Sequence, residues 1–199
     1  MRRLLVSAVA VLTALGALAA VPAASASVDG TDATAAATAA ACATAWGSTP
    51  ESNGNMSTRP ITNVRSARQP CYDRLVVDLG AAPGGVPAGR IGYDVRYAAV
   101  HEEGTGTRIP LVGNADLRII VRAPAYNVVT GRVTYNPRDR RHIVHVPGYT
   151  TFRQVATGGS FEGQTTFGLG VRARLPFRAF VLAGPGTGAR LVVDVAHTW

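Results

Sequence analysis

The residues with chemistry to offer in this 199-residue chain are twenty arginines, twelve carboxylates, four histidines and two cysteines. There is no lysine. That excludes Schiff-base and pyridoxal chemistry, which need an amine, and a Walker-type phosphate loop, which needs its lysine. His142 and His145 lie three apart in a stretch that reads as a strand, so alternation sends them to opposite faces and defeats a shared metal. Arg138, Arg140 and Arg141 beside them also repel a cation. His101-Glu102-Glu103 begins like a zinc-protease motif but lacks the second histidine at helical spacing. His197 stands near the C-terminus without a cysteine nucleophile if both cysteines are paired.

Two glycine motifs invite chemistry and fail on context. Gly158-Gly159-Ser160-Phe161-Glu162 nearly matches a nucleophile elbow, but it ends in Glu and no helical pattern follows. Gly168-Leu169-Gly170-Val171-Arg172-Ala173 formally fits a dinucleotide fingerprint, yet a strand-like run and Pro176 follow where a helix is required. No catalytic residue, metal ligand or cofactor site is therefore assigned. The arginines carry the usable signal, because a planar guanidinium binds carboxylates and phosphates at two points. Arg172, Arg174 and Arg178 are read as clustering on one hairpin and are the candidate ligand-binding set. The alternative is a solvated charge set balanced by Asp and Glu.

These side chains must be positioned by short elements. From Ile61 onward, runs rich in Val, Ile, Tyr and Phe alternate with Gly and Pro clusters, the spacing of an all-β domain. Strands are expected at 61–65, 74–79, 93–100, 117–122, 128–135, 143–146, 151–156, 167–175, 177–182 and 191–196. Tyr93, Val95 and Tyr97 alternate with Asp94 and Arg96, as in a half-buried antiparallel strand. No long helical period appears, and an antiparallel β-sandwich or barrel-like domain fits. Arg74-Leu75-Val76-Val77-Asp78 recurs letter for letter as Arg190-Leu191-Val192-Val193-Asp194. Either this is chance within a biased composition, or the copies are equivalent strands. If they are antiparallel neighbours in register, Arg74 faces Asp194 and Asp78 faces Arg190.

The N-terminus reads as an address. Arg2 and Arg3 precede an apolar run from Leu4 to Val21 and then Ala24-Ser25-Ala26, which predicts a signal peptide over 1–26 cleaved after Ala26. A retained anchor is the alternative, with a run at the short edge for spanning. The arginine pair raises twin-arginine export, although its usual flanking residues are missing. Residues 27–45 are mostly Ala and Thr and read as a flexible spacer, and 46–199 as the β domain. Cleavage removes two arginines and no acid, leaving 18 arginines against 12 carboxylates, a formal charge of +6. No further long apolar stretch follows, so no integral membrane segment is expected after cleavage. In an exported chain Cys42 and Cys71 most simply form one disulfide, two free thiols being the alternative.

Taken together, the chain resembles the AMIN-like domain proteins secreted by actinobacteria. The resemblance rests on Pro60–Arg65, Tyr72–Leu79, Gly92–Tyr97, Gly159–Gly163, Pro176–Phe180 and the closing Arg190–His197, and covers residues 45–199. It implies a compact β-sandwich or barrel-like module of the cell envelope, related to the non-catalytic AMIN domains that target their partners to peptidoglycan or the periplasmic envelope. Many such proteins look like lipoproteins. Here Cys42 follows Ala39-Ala40-Ala41 and lacks the expected leucine three positions earlier, so no lipid anchor is expected.

The leading expectation is a secreted, wall-associated, non-catalytic module binding peptidoglycan or another anionic wall polymer. Nucleic acid is a poor partner for an exported chain. A second reading is a small secreted hydrolase acting on a wall or glycan substrate through a carboxylate pair, such as Glu162 near Asp94. A third is an interaction partner for another secreted protein, through exposed Trp46 or Trp199.

Overall fold

The computed structural model describes Cys42 and residues 44–199. The signal-peptide reading, and the spacer apart from Cys42, Thr44 and Ala45, lie outside the described residues. Among these residues there is no helix. Eleven strands run in chain order: β1 (Glu51–Asn53), β2 (Ile61–Arg68), β3 (Tyr72–Leu79), β4 (Gly92–Tyr97), β5 (Val100–His101), β6 (Arg108–Ile109), β7 (Ala115–Arg122), β8 (Phe152–Phe161), β9 (Gln164–Val171), β10 (Phe177–Ala183) and β11 (Ala189–Ala196). A five-stranded sheet of order β1-β4-β7-β9-β8 and a four-stranded sheet of order β10-β11-β3-β2 form the sandwich, with β5-β6 as a separate ribbon. All pairings are antiparallel.

Alternation builds the core. Leu75, Val77 and Leu79 of β3 and Leu191, Val193 and Val195 of β11 meet Val95, Leu117, Ile119, Val121, Phe167 and Leu169 of the facing sheet in one cluster. Burying each such side chain is worth roughly 1.5–3 kcal/mol. The free edge of β10 is covered by the other sheet and the N-terminal strap. The Ala179 amide donates to Glu51 Oε2 (2.8 Å), the Tyr93 hydroxyl donates to the Ala179 carbonyl (3.0 Å), and the Phe177 amide donates to the Gly47 carbonyl (2.8 Å). Such cover removes an unpaired ladder that would template aggregation. Cys42 and Cys71 form a disulfide that ties the strap to the start of β3.

The strands expected at 128–135 and 143–146 are loops. Their β-branched residues favour strands, but local polar chemistry overrides them. Asn127 Oδ1 accepts from the amides of Val129 and Thr130, Gly131 turns at φ 69°, and Val128 and Val129 end at an exposed tip. Asp139 Oδ1 likewise holds the amides of Arg141 and His142, and Pro147-Gly148 ends the next run. The Ile143 amide makes one bond to the Val155 carbonyl. This 123–151 segment closes the side between β2 and β8, its Tyr135, Ile143, Val144 and Tyr149 packing on the core. The expected 93–100 strand breaks after Tyr97, and the expected 167–175 strand ends at Val171. The expected hairpin carrying Arg172, Arg174 and Arg178 does not exist, because β9 and β10 belong to different sheets.

The two glycine motifs have packing explanations. A side chain at Gly168 would sit 2.9 Å from Leu111 Cδ1 and 3.0 Å from Val100, and one at Gly170 would overlap the Val112 carbonyl. These glycines let the β5-β6 ribbon lie flat on the sheet, where Val100, Ile109 and Ala156 form a second small core. Ser160 sits at the end of β8, its hydroxyl accepting from the Ala125 amide and from Thr165 Oγ1 and donating to the Gln164 carbonyl. Glu162 (φ 49°) and Gly163 (φ 77°) make the two-residue turn between β8 and β9, both in the left-handed region that hairpin turns of this length demand.

Two outcomes follow for stability. Replacing Cys42 and Cys71 by Ala is expected to remove about 3–4 kcal/mol in urea unfolding, the entropy of closing the intervening loop, while the sheet circular-dichroism signal persists. An unchanged midpoint would contradict this. Gly170→Ala is expected to destabilise more than Gly168→Ala, because the added methyl meets rigid backbone in the first case and movable side chains in the second; thermal melts of both variants test the order.

Candidate functional site

The repeated pentapeptides are antiparallel neighbours in register. β3 and β11 pair with Arg74 opposite Asp194, Val76 opposite Val192 and Asp78 opposite Arg190. Alternation points these six residues to the outer face of the four-stranded sheet and the intervening Leu and Val residues to the core. Pairing with β2 and β10 extends each level into a row across four strands. The first row is Ala67, Arg74, Asp194 and Arg178; the second Arg65, Val76, Val192 and Phe180; the third Asn63, Asp78, Arg190 and Leu182.

Asp194 is the centre of the first row and has no exposed surface. Arg74 grips it with two bonds, Nε to Oδ1 at 2.6 Å and Nη2 to Oδ2 at 2.9 Å. Arg178 reaches it from the other side through Nε, 2.9 Å from Oδ2. The hydrogen bond to Asp194 holds the Arg74 guanidinium above its ordinary pKa against the opposing effect of burial. Aromatic rings enclose both cations. The Arg178 guanidinium lies 4.2 Å from the centre of the Trp46 ring and 5.1 Å from that of Phe180, and Arg74 lies 5.2 Å from Tyr72. Trp46 meets Tyr72 edge to face at 5.5 Å. Two guanidiniums thus face one carboxylate, and the terminal nitrogens of Arg178 have no partner among the described residues.

The third row differs. Asp78 pairs with Arg65, Nε to Oδ2 at 2.9 Å and Nη2 to Oδ1 at 3.1 Å. Arg190 therefore turns away, donating to the Ala183 carbonyl (3.1 Å) while its buried Nε has no partner. Arg65, Asp78 and Arg190 line an open cleft of about 830 Å³ bounded by the loop from Ala183 to Ala189.

The other two candidate arginines are held nearby by the strap and the C-terminal tail. Arg174 donates to Ser48 Oγ (3.3 Å) and to the Ser48 carbonyl (3.2 Å), and lies over the Tyr97 ring at 5.2 Å. Arg172 donates to the His197 carbonyl. The strap residues Trp46 and Ser48 thus bind Arg178 and Arg174 respectively. Trp199 is exposed, its indole donating to the Arg174 carbonyl at 3.1 Å.

The two carboxylates weighed as a catalytic pair fall on different elements of the five-stranded sheet. Asp94 lies in β4 against Arg96 and Arg118, whereas Glu162 occupies the β8-β9 turn. Sheet order and register separate them by roughly 15 Å along the sheet, beyond the spacing of a glycosidase pair. His142 and His145, on a loop and not a strand, line one open cleft; His142 Nδ1 is 3.0 Å from Asp139 Oδ2. No cluster of three metal-ligating residues occurs among the described residues. Asp73, fully buried, was not anticipated from the sequence: alternation puts it on the core side. Its Oδ2 accepts the amides of Thr151 and Phe152 and its Oδ1 stands 3.1 Å from His197 Nε2. The nearby Thr151 hydroxyl donates to the Ala196 carbonyl, so Asp73, Thr151 and His197 together fasten the tail to the β8 entrance.

This geometry belongs to an antiparallel β-sandwich domain with an arginine-rich sheet face. A family model for the AMIN-like domain matches residues 59–197, well over half of the chain, and the chain belongs to that family. Membership makes it a cell-envelope-associated module of a generally non-catalytic kind. No curated protein and no solved structure is detectably similar to it.

Among the tyrosines, burial pushes the Tyr135 phenol up to about 12 from an ordinary value of 10.0. A raised folded pKa means that this group's contribution to stability is whole below the unfolded pKa and is lost as pH rises toward the folded one. Tyr135→Phe is therefore expected to lose less stability than the parent between about pH 9 and about pH 11, measured by urea midpoints. Equal losses would contradict the burial effect.

Proposed function

We propose that the chain is exported, with residues 1–26 removed, and that the outer face of its four-stranded sheet holds peptidoglycan or another anionic wall polymer without catalysis. The observation that carries this reading is the Trp46–Arg178–Phe180 stack: a guanidinium with unused terminal donors, set between aromatic rings and backed by a buried carboxylate. Guanidinium forks bind carboxylates and phosphates at two points, and aromatic faces take the apolar faces of sugar rings. Arg172 and Arg174, tied to the tail and strap beside this stack, extend the basic edge, and Arg190 adds a cation at the far end of the same face. A polymer offers repeated anions and can engage these cations together, so modest single contacts sum along the chain.

The test is sedimentation of the oxidised protein with purified cell walls. Binding is expected to weaken with salt, because exposed ion pairs are screened. Arg178→Ala and Trp46→Ala are each expected to lower the bound fraction several-fold, and Arg172→Ala or Arg174→Ala less so. Arg132→Ala, on the exposed loop after Asn127, should leave it unchanged. Wall binding that ignores both salt and Arg178, or none at any salt concentration, would overturn the reading.

A further inference from the structure

A second, more enclosed cavity lies away from the sheet face, between the 123–137 loop and the end of β8. It has a volume of about 270 Å³, and its walls include Tyr126, Val133, Tyr135, Pro137, Arg140 and Ser160. That is room for a body of about ten heavy atoms, at the lower end of ligand-site sizes.

Its construction is specific. The amides of Thr134 and Tyr135 both donate to the Ala125 carbonyl, and the Ala125 amide donates to Ser160 Oγ, so loop and strand are locked together at the floor. The Tyr135 ring packs edge to face on core Phe167 at 6.2 Å, which fixes its orientation. At the β8 bulge Gly159 has φ 93°, and a side chain there would lie 2.9 Å from Arg140 Nη2; the glycine lets the guanidinium settle against the strand. Polar capacity is left over. Neither the Tyr135 hydroxyl, the Tyr126 hydroxyl nor the Arg140 guanidinium has a protein partner among the described residues, and Arg140 forms no ion pair. By contrast the Ser160 hydroxyl is fully used.

The unspent groups are overwhelmingly donors, one of them a charged fork, and the walls beside them are aromatic and aliphatic. We propose that this cavity is a binding site for a small monocarboxylate, the size of one amino-acid residue or one sugar, with its carboxylate on Arg140 and Tyr135 and its body against Tyr126, Val133 and Pro137. A single guanidinium matches one negative charge, which favours a carboxylate over a dianion. The high pKa of Tyr135 keeps its phenol a donor throughout the physiological range. The inference does not rest on the sheet-face reading, since it shares no residue with it.

The experiment is an amide NMR titration of the oxidised protein with N-acetylalanine in one arm and glucuronate in the other. Saturable shifts confined to residues 125–140 and 157–165 are expected in at least one arm, and the responding arm identifies the source of the carboxylate. The amide of the responding ligand should bind at least about tenfold more weakly, as should the acid to Arg140→Ala, since a charge-assisted bond is lost in each case. Tyr135→Phe should weaken binding several-fold with an otherwise unchanged spectrum, which separates loss of the donor from loss of the fold. No saturable shift in either arm, equal binding of the amide, full binding by Arg140→Ala, or tighter binding of inorganic phosphate would each overturn the proposal. Wall sedimentation by Arg178→Ala reports on the sheet face alone, so failure of one site is distinguishable from failure of the other.

Discussion

A carboxylate with no exposed surface is unfavourable on a sheet unless its charge is met, and at Asp194 it is met from both neighbouring strands. Arg74 on β3 and Arg178 on β10 lie directly opposite it in register. The arrangement is strict because strand alternation has a period of two. A one-residue slip of β11 against β3 would turn Asp194 toward Leu75 and Val77 and leave two guanidiniums without their acceptor. The desolvation of a buried ion pair offsets much of its attraction, so its contribution lies more in penalising wrong registers than in raising stability. Once β11 is fixed, β10 and β3 follow, and with them the Phe177 edge, the strap and the cysteine at the head of β3.

The strap is where redox chemistry meets the candidate site. Trp46 has no strand of its own to hold it. It is held by the disulfide from Cys42 to Cys71, the Gly47 carbonyl on Phe177, Ser48 on Arg174, and its stack against Arg178. An oxidising compartment, which supports such a bond, therefore also supports the aromatic half of the face. The cation and its ring wall are assembled from opposite ends of the domain, close in space only because β10 and β3 flank β11.

How much of this was legible in the sequence depends on whether the signal was local. The pairing of Arg74 with Asp194 could be written down from two identical pentapeptides, since alternation and antiparallel register decide which letters meet. The all-β sandwich could be read likewise from short apolar runs between Gly and Pro clusters. Arg178 was singled out, but on a hairpin that does not exist: the crossing from β9 to β10 between sheets depends on strand order, which no short-range pattern encodes. Val128, Val129 and the Ile143–Val146 run carry strand propensity and still form loops, because Asn127 and Asp139 offer side-chain acceptors that compete with a ladder. The Gly168-Leu169-Gly170 motif fits a dinucleotide fingerprint in letters alone, and the reason for its glycines, the ribbon laid across them, required the fold. Asp73 stayed invisible because a buried acid has no sequence signature until its amide donors and His197 are in place.

The repeat also explains why the face is not symmetric. Two copies of one pentapeptide, paired antiparallel, would by themselves create two equal Arg–Asp clasps. The flanking strands break the equality. β10 contributes Arg178 beside Asp194, while β2 contributes Asn63 at the equivalent level beside Asp78 and sends Arg65 in diagonally. At one end the acid collects two cations in the company of three aromatic rings. At the other end Arg65 displaces Arg190 from its opposite number, and the released guanidinium faces the cleft beside the Ala183–Ala189 loop. The same local letters thus yield a rigid, ring-walled cation at one end and an under-partnered cation at the other. Four arginines against two aspartates leave the face positive along its length. A surface of that kind suits a ligand that is itself extended and repeats its charge.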